Sequence, residues 1–345
     1  ALVALVATLV GAFILLHLFG HVIAPVLVAV AVAYVLDGVV EALVRLHLPR
    51  WFAVAMAILL AAIVALIVLL LVLPLLLDQV SQLVERAPLY LDALREAFQR
   101  AQKEHGEWVN PALVQQMAGS LLQTLQSLGG KVVSFSLASI PTLVALAIYL
   151  VLVPVLVFFL LKDKRKLIAW ARRFLPADHK LFVRVWREVD VQIGNYIRGK
   201  FWETIIVGCA AWIVFAWLDH PYALMLGVLT GISVWVPFVG AAVVTLPVVL
   251  LSVASWGLAM PTLYAIAAYL VVQMLDGNVL VPWLFSEMVD LHPVAIVVAV
   301  LVFGALWGLV GVFVAIPMAA LIESVLTIIW ERIEALRAEA PPETP

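Results

Sequence analysis

Asp276 stands in the stretch VVQMLDGNVLVP, residues 271–282, after a run from His220 to Leu275 that holds no Asp, Glu, Lys or Arg. Gln273 lies one helical turn before it on the same face, and Gly277, Asn278 and Pro282 follow closely. A carboxylate at mid-bilayer costs about 3 kcal/mol or more unless it is neutralised, paired or wetted, and intramembrane acids characteristically line solute, ion or proton paths. Asp276 is therefore the leading candidate for a pathway residue and proton carrier, with Gln273 and Asn278 beside it. A helix break at Gly277 would release backbone carbonyls for an ion or solute. The competing reading makes Asp276-Gly277-Asn278 an ordinary turn where the helix over 258–275 ends at the cytoplasmic interface. Two other acids invite the same question. Glu203 reads as an interfacial partner of Arg198 and Lys200, and Glu323, seven residues before Trp330, is either buried or near a helix exit.

Nothing else in the chain has the spacing of a reactive site. There is no glycine-rich phosphate loop, no nucleophile elbow and no His or Cys cluster at metal spacing; His17 and His21 carry no acid between them. The chain is read as a non-enzyme with no cofactor and no metal, driven by a gradient or a partner. Its single cysteine, Cys209, excludes an internal disulfide. Trp51, Trp202, Trp217, Trp256 and Trp330 fall at span ends, as an interfacial aromatic belt would place them.

The elements that hold these residues follow from composition. Among 345 residues, 66% are hydrophobic and 12% charged, far from the soluble average. Residues 1–36, 51–77, 132–161, 220–275 and 291–322 carry no charged side chain, and roughly 20 apolar residues cross a bilayer as a helix. The runs are continuous, not alternating, which excludes a β-barrel. The fold class is an all-α polytopic membrane protein, with about seven or eight transmembrane helices plus re-entrant helical hairpins. The bilayer is its partner, and a net charge of −2 gives no sign of nucleic acid.

Along the chain, 1–77 forms the N-terminal transmembrane helices: 1–19 and 22–36, joined near Gly20-His21, and a third span over 51–77. Residues 78–131 form amphipathic extracytoplasmic or interfacial helices, with one apolar stripe through Val80, Val84, Ala87, Leu91, Leu94 and Phe98 and a second through Val114, Met117, Leu121, Leu125 and Leu128. A fourth span covers 132–161. The basic segment 162–200 holds 11 of the 20 Lys and Arg residues against four acids, which places it in the cytoplasm. Counting spans from there puts both termini in the cytoplasm. Residues 201–330 form a C-terminal transport core, and 331–345 a polar cytoplasmic tail. The chain starts at Ala1 without methionine, so upstream residues are expected.

In the transport core, 222–256 is interrupted by WVPFVGAA, with Pro237, Phe238 and Gly240, and 292–330 by WGLVGVFVAIP, with Gly308, Gly311 and Pro317. Each is either two full spans or a hairpin that enters and returns. If both are re-entrant, the first opens outward and the second inward, the arrangement that frames a midplane binding site in secondary transporters. FVGAAVVTLP, 238–247, echoes LVGVFVAIP, 309–317, with a one-residue gap.

NYIRGK at 195–200, GVLTGISVWVPFVGA at 227–241, QMLDGNVLVP at 273–282 and DLHPVAIVVAVLVFGALWGLVGVFVAIPMAALIES at 290–324 resemble, in order and spacing, the autoinducer-2 exporter family of bacterial permeases. The resemblance implies a transporter of the bacterial cytoplasmic (inner) membrane that assembles as a homo-oligomer, a pentamer in relatives. It also implies a small polar solute of the autoinducer-2 quorum-sensing type, or protons and monovalent cations exchanged by antiport. A non-transporting oligomeric scaffold is the remaining alternative. The family's polar, glycine and proline positions fall on Tyr196, Arg198, Gly199, Pro237, Gly240, Asp276, Gly277, Asn278, Pro282, His292, Pro293, Gly308, Gly311 and Pro317. Two departures stand out: Lys200, where many relatives have Gln, and Asp276, where many have Glu.

Overall fold

The computed structural model describes residues 2–105, 140–173, 180–237, 239–285 and 292–339. All regular structure among them is helical: α1 (Leu2–Arg45), α2 (Arg50–His105), α3 (Ile140–Lys162), α4 (Lys164–Arg172), α5 (Lys180–Trp217), α6 (Ala223–Ser233), α7 (Val239–Trp256), α8 (Met260–Leu275), a π-helical turn (Asp276–Leu280), α9 (Val281–Leu284) and α10 (Pro293–Glu339). Five helical stretches are long and apolar enough to cross a membrane, and four shorter apolar helices accompany them. On α2, Leu69, Leu70 and Leu71 are all more than half exposed. Three consecutive helical positions point in three directions, so this helix is apolar on every side, as lipid requires and water would penalise.

Several expectations change. The chain runs as one helix through Gly20, His21 and Pro25, with no turn between 1–19 and 22–36. An isolated glycine lowers helix propensity by about 1 kcal/mol but does not end a helix in an apolar setting. One continuous helix makes one crossing where two were counted, so the span count no longer locates the N-terminus. Likewise α2 continues without a break from the third span into the first amphipathic stripe. The second stripe, 114–128, and Phe238 lie outside the described residues. α5 runs without a break from Lys180 through residue 200 and into the charge-free run 204–218, so no helix boundary marks the end of the basic segment 162–200. Finally, the helix neither breaks nor ends at Gly277. It continues through the π turn, in which the Val281 N–H donates to the Asp276 carbonyl five residues back.

The chain divides into two compact units, with the division falling inside α2, α3 and α5. The first comprises Ala1–Ile58, Tyr149–Gly199 and Phe285–Pro345. Here Asp37 on α1 is nearly buried and faces Lys164 at 3.1 Å and Arg50 at 4.0 Å, while Arg50 Nε donates to the Leu161 carbonyl at the end of α3 (3.0 Å). Tyr34 donates to Asp190 at 2.6 Å. At Gly199 a Cβ would meet the Phe285 ring at 2.5 Å, so only glycine lets the two approach.

In the same unit α10 folds back on itself. Ala299, Phe303 and Ala315 form one buried cluster, although 16 residues of straight helix would separate its ends by about 24 Å. The reversal is at Gly308, whose φ of 61° and ψ of −138° suit glycine alone. Three residues later, Gly311 packs so tightly that a Cβ would collide with the Phe303 carbonyl.

The second unit comprises Leu59–Ile148 and Lys200–Leu284. Its core joins Val207, Ala211 and Phe215 of α5, Tyr222 to Leu226 at the start of α6, Val244, Val248 and Leu251 of α7, and Ala265, Tyr269 and Val272 of α8. Leu83 of α2 belongs to this core, with Leu76, Val80 and Tyr90 against it. Of the expected stripe, Val80 packs against this core and Ala87 is buried, and α2 is further tied to α6 by Gln79 accepting the Met225 N–H at 2.8 Å. Since lipid is as apolar as leucine, close backbone approach must supply what hydrophobic burial supplies in water. Gly227 and Gly231 of α6, four residues apart, provide it. A Cβ on Gly231 would lie 2.6 Å from the Thr204 carbonyl and 2.9 Å from the Gly208 Cα, and one on Gly227 would lie 2.6 Å from the Trp212 Cβ.

α6 and α7 form a helical hairpin turned over Val234–Pro237. Eleven residues of α6 extend about 16 Å, roughly half the hydrocarbon thickness. A Cβ on Gly240, just past the turn, would collide with the Ser233 carbonyl. Gly240 and Gly311 therefore do the same thing in the two hairpins, which gives the echo between 238–247 and 309–317 a structural counterpart.

Where α5 turns into α6, His220 is buried. Its Nδ1 accepts the Tyr222 N–H (3.1 Å), its Nε2 faces Ser252 Oγ (3.3 Å), and the Trp256 ring lies edge-on at 4.9 Å. With Nδ1 accepting, the proton sits on Nε2 and the ring is neutral. Burial lowers its pKa from the usual 6.5 to about 4.

Two outcomes follow, both read as the unfolding midpoint of detergent-solubilised protein. Gly308→Ala destabilises by about 1–3 kcal/mol through its backbone angle alone, whereas Gly277→Ala, with nothing within 4 Å of its Cβ, leaves the midpoint nearly unchanged. Because unfolded His220 binds a proton that the folded side chain refuses, it costs stability as pH falls from 6.5 towards 4 and nothing above 6.5. His220→Asn, which keeps an acceptor for Tyr222, should flatten that part of the acid-sensitivity curve.

Candidate functional site

Two elements of the second unit bring buried or half-buried charges together: α5 with Lys200 and Glu203, and the π turn after α8 with Asp276. Lys200 and Glu203 lie three residues apart on α5 and so share a face. Glu203 directly precedes the charge-free run 204–218, and Lys200 lies one turn before Glu203. Both are buried, at 6% and 2% exposure. The Lys200 ammonium contacts Glu203 Oε2 at 2.7 Å and Oε1 at 3.0 Å, and donates to the Val234 carbonyl at 2.8 Å.

Val234 terminates α6 at the hairpin turn. The last carbonyls of a helix lack intrahelical partners and carry the negative end of its dipole, so an ammonium there is doubly favoured. The glycine contacts between α5 and α6 hold the turn against Lys200. Tyr269 of α8 donates to the Ala241 carbonyl at 2.8 Å, fastening α8 to the other arm of the hairpin just past the turn.

Asp276 opens the π turn that follows α8. It is half-buried, and its Oδ1 is shielded from solvent with no hydrogen-bond partner among the described residues. It lies close enough to Lys200 and Glu203 for all three charges to interact. Gln273 stands one turn earlier on α8, also half-buried. A π turn inserts one extra residue into the helix and shifts the register of its side chains, and such turns recur at functional sites.

The other sequence candidates are distributed differently. Pro237 is half-buried in the hairpin turn, and Gly240 is buried immediately after it. Asn278 is exposed and donates back to the Met274 carbonyl of its own helix at 2.8 Å. Gly277 and Pro282 are exposed. In the first unit, Tyr196 is buried against Phe285, and Arg198 donates to Asn195 at 2.9 Å. His292 caps α10 by accepting the Val294 N–H at 3.2 Å, Pro293 occupies the first helical position, and Pro317 is buried in the returning arm with Gly311. Glu323 is half-buried in that arm.

The expected pairing of Glu203 with Lys200 is present, and what the sequence did not indicate is how completely both are enclosed by protein. The i, i+3 spacing of opposite charges was the available signal. Glu203→Gln strands a buried ammonium, and removing one partner of such a pair costs roughly 3–5 kcal/mol. Lys200→Met with Glu203→Leu removes both charges and should lower the unfolding midpoint less than Glu203→Gln alone.

The family model for the AI-2E family transporter matches residues 2–331. PerM of Escherichia coli (strain K12), assigned as a permease, is 40% identical over 244 residues, covering 71% of this chain and 69% of that protein. YueF of Bacillus subtilis (strain 168), assigned as a transport protein, is 25% identical over 253 residues, covering 71% and 68%. A transport protein of Thermotoga maritima is 30% identical over 164 residues, covering 47% and 44%. With its apolar helices and its paired hairpins, the chain is a multi-pass membrane protein that belongs to the AI-2E family of transporters.

Proposed function

We propose that this protein is a secondary transporter of the bacterial cytoplasmic membrane that moves a small polar solute, with Lys200, Glu203, Gln273 and Asp276 lining the solute or ion path. The observation that carries the reading is the buried Lys200–Glu203 pair at the hairpin turn, within electrostatic reach of Asp276. A structural salt bridge in this position has little to recommend it, since an apolar pair of similar volume is often at least as stable. Charges that change partners during a transport cycle do justify it. The family to which the chain belongs suggests an autoinducer-2-type signal as the solute and a homo-oligomer, by resemblance a pentamer, as the working assembly.

Proton coupling, including monovalent cation/proton antiport, is the second reading, and Asp276 favours it. An acid with an unpartnered, solvent-shielded oxygen can take a proton when the solute leaves and release it when a cation or donor arrives. The basic segment 162–200 supports a cytoplasmic position for the loop side of α4.

Purified protein reconstituted into vesicles, offered a panel of small polar metabolites with and without an imposed proton gradient, should move at least one of them faster with the gradient. Asp276→Asn should abolish the gradient-driven part. A fully active Asp276→Asn variant would remove Asp276 from the coupling mechanism, and vesicles that move nothing would favour a scaffold.

A further inference from the structure

A lysine as buried as Lys200 needs a stronger reason than pairing with the acid three residues away. Lys200 Nζ is held by both oxygens of Glu203 and by the Val234 carbonyl, and it feels the charge of Asp276. These ligands are all oxygens: one carboxylate, one carbonyl at the end of a short helix, and a second carboxylate nearby. Carbonyls at interrupted helix ends, together with acids, are the donor set with which membrane transporters hold monovalent cations. The site carries two potential negative charges, and the Lys200 ammonium contacts one of them directly. Moreover, Glu203 is 2% exposed, so its charge cannot be compensated by bulk water.

We infer that the Lys200 ammonium is a built-in counter-cation filling a monovalent-cation site formed by Glu203 and the Val234 carbonyl beside Asp276, so that removing it opens the site to Na+, K+ or a small alkylammonium ion. The inference deepens the proposed ion-coupled reading and rests on it only for what the site does in transport. With its own ammonium in place, the protein has no use for a metal cation there. Protons on Asp276 are then the coupling species, and a cationic solute would have to compete with Lys200. The geometry also explains why the ammonium reaches the hairpin turn. The contact with Val234 links occupancy of the site to the position of the turn, as a bound cation would in a chain that lacked the lysine.

The test uses full-length protein in detergent at constant ionic strength, with choline, sodium, potassium or methylammonium as the chloride salt. The unfolding midpoint of the unaltered protein should be the same in all four. Lys200→Ala should unfold several degrees lower in choline and regain most of the loss, saturably, in methylammonium or in sodium or potassium. Adding Glu203→Gln should abolish that rescue. Lys200→Met, which keeps most of the buried stem, is run in parallel and should behave as Lys200→Ala does, more weakly with methylammonium because the space is filled. Midpoints indifferent to the cation in both lysine variants overturn the inference. So does rescue that survives Glu203→Gln, or failure to recover either lysine variant folded in any of the four salts. Since no flux is measured, a negative result here leaves the transport assay to stand or fall separately.

Discussion

One buried ion pair, Lys200 with Glu203, ties α5 to the hairpin turn of the second unit. An ammonium and a carboxylate 2.7 Å apart, both enclosed by protein, hold each other only while both remain and while the ammonium's other hydrogens are met. The hairpin turn meets one of them through Val234. That requirement sets the position of α6, and α6 can come so close only because Gly227 and Gly231 present bare backbone to α5. The position of α7 follows from the turn, and that of α8 from the bond between Tyr269 and Ala241. The π turn then adds the one remaining charge, Asp276, to the same neighbourhood.

Much of this was legible in the sequence. Charge-free runs of 27 to 56 residues can only be lipid-embedded helices, and Gly and Pro clustered in two of them announced reversals at Val234–Pro237 and Gly308. The family resemblance rested on the same stretches. Asp276 and Gln273 stood out because nothing charged precedes them in a long run of sequence, and Asp276 lies within electrostatic reach of Lys200 and Glu203.

What was not legible depends on partners that a linear reading does not display. Lys200 and Glu203 look like any interfacial pair until the hairpin turn that encloses them is known. Gly20-His21 resembled a turn, but without a cap or a competing partner for the backbone the helix simply continues. Gly277 offered either a break or a helix end, and the chain took neither: shifting to five-residue hydrogen bonding kept the backbone satisfied in an apolar setting while accommodating Asp276. The two glycines after the turns, Gly240 and Gly311, carried a signal in their local echo, yet their common role emerged only from the carbonyls they pack against.

A transport path through the buried charges must let water or solute reach them, while the exposed apolar helix faces meet lipid. The most direct measurement is cysteine accessibility in a Cys209→Ala background, with single cysteines at Ser233 and Gln273 on the site and at Leu270 and Met274 on the exposed faces of α8. A membrane-impermeant thiol reagent should label Ser233→Cys and Gln273→Cys in intact membranes and leave Leu270→Cys and Met274→Cys unmodified. Equal labelling at all four positions, or labelling confined to Leu270→Cys and Met274→Cys, would contradict a water-accessible polar site between the hairpin turn and the π turn.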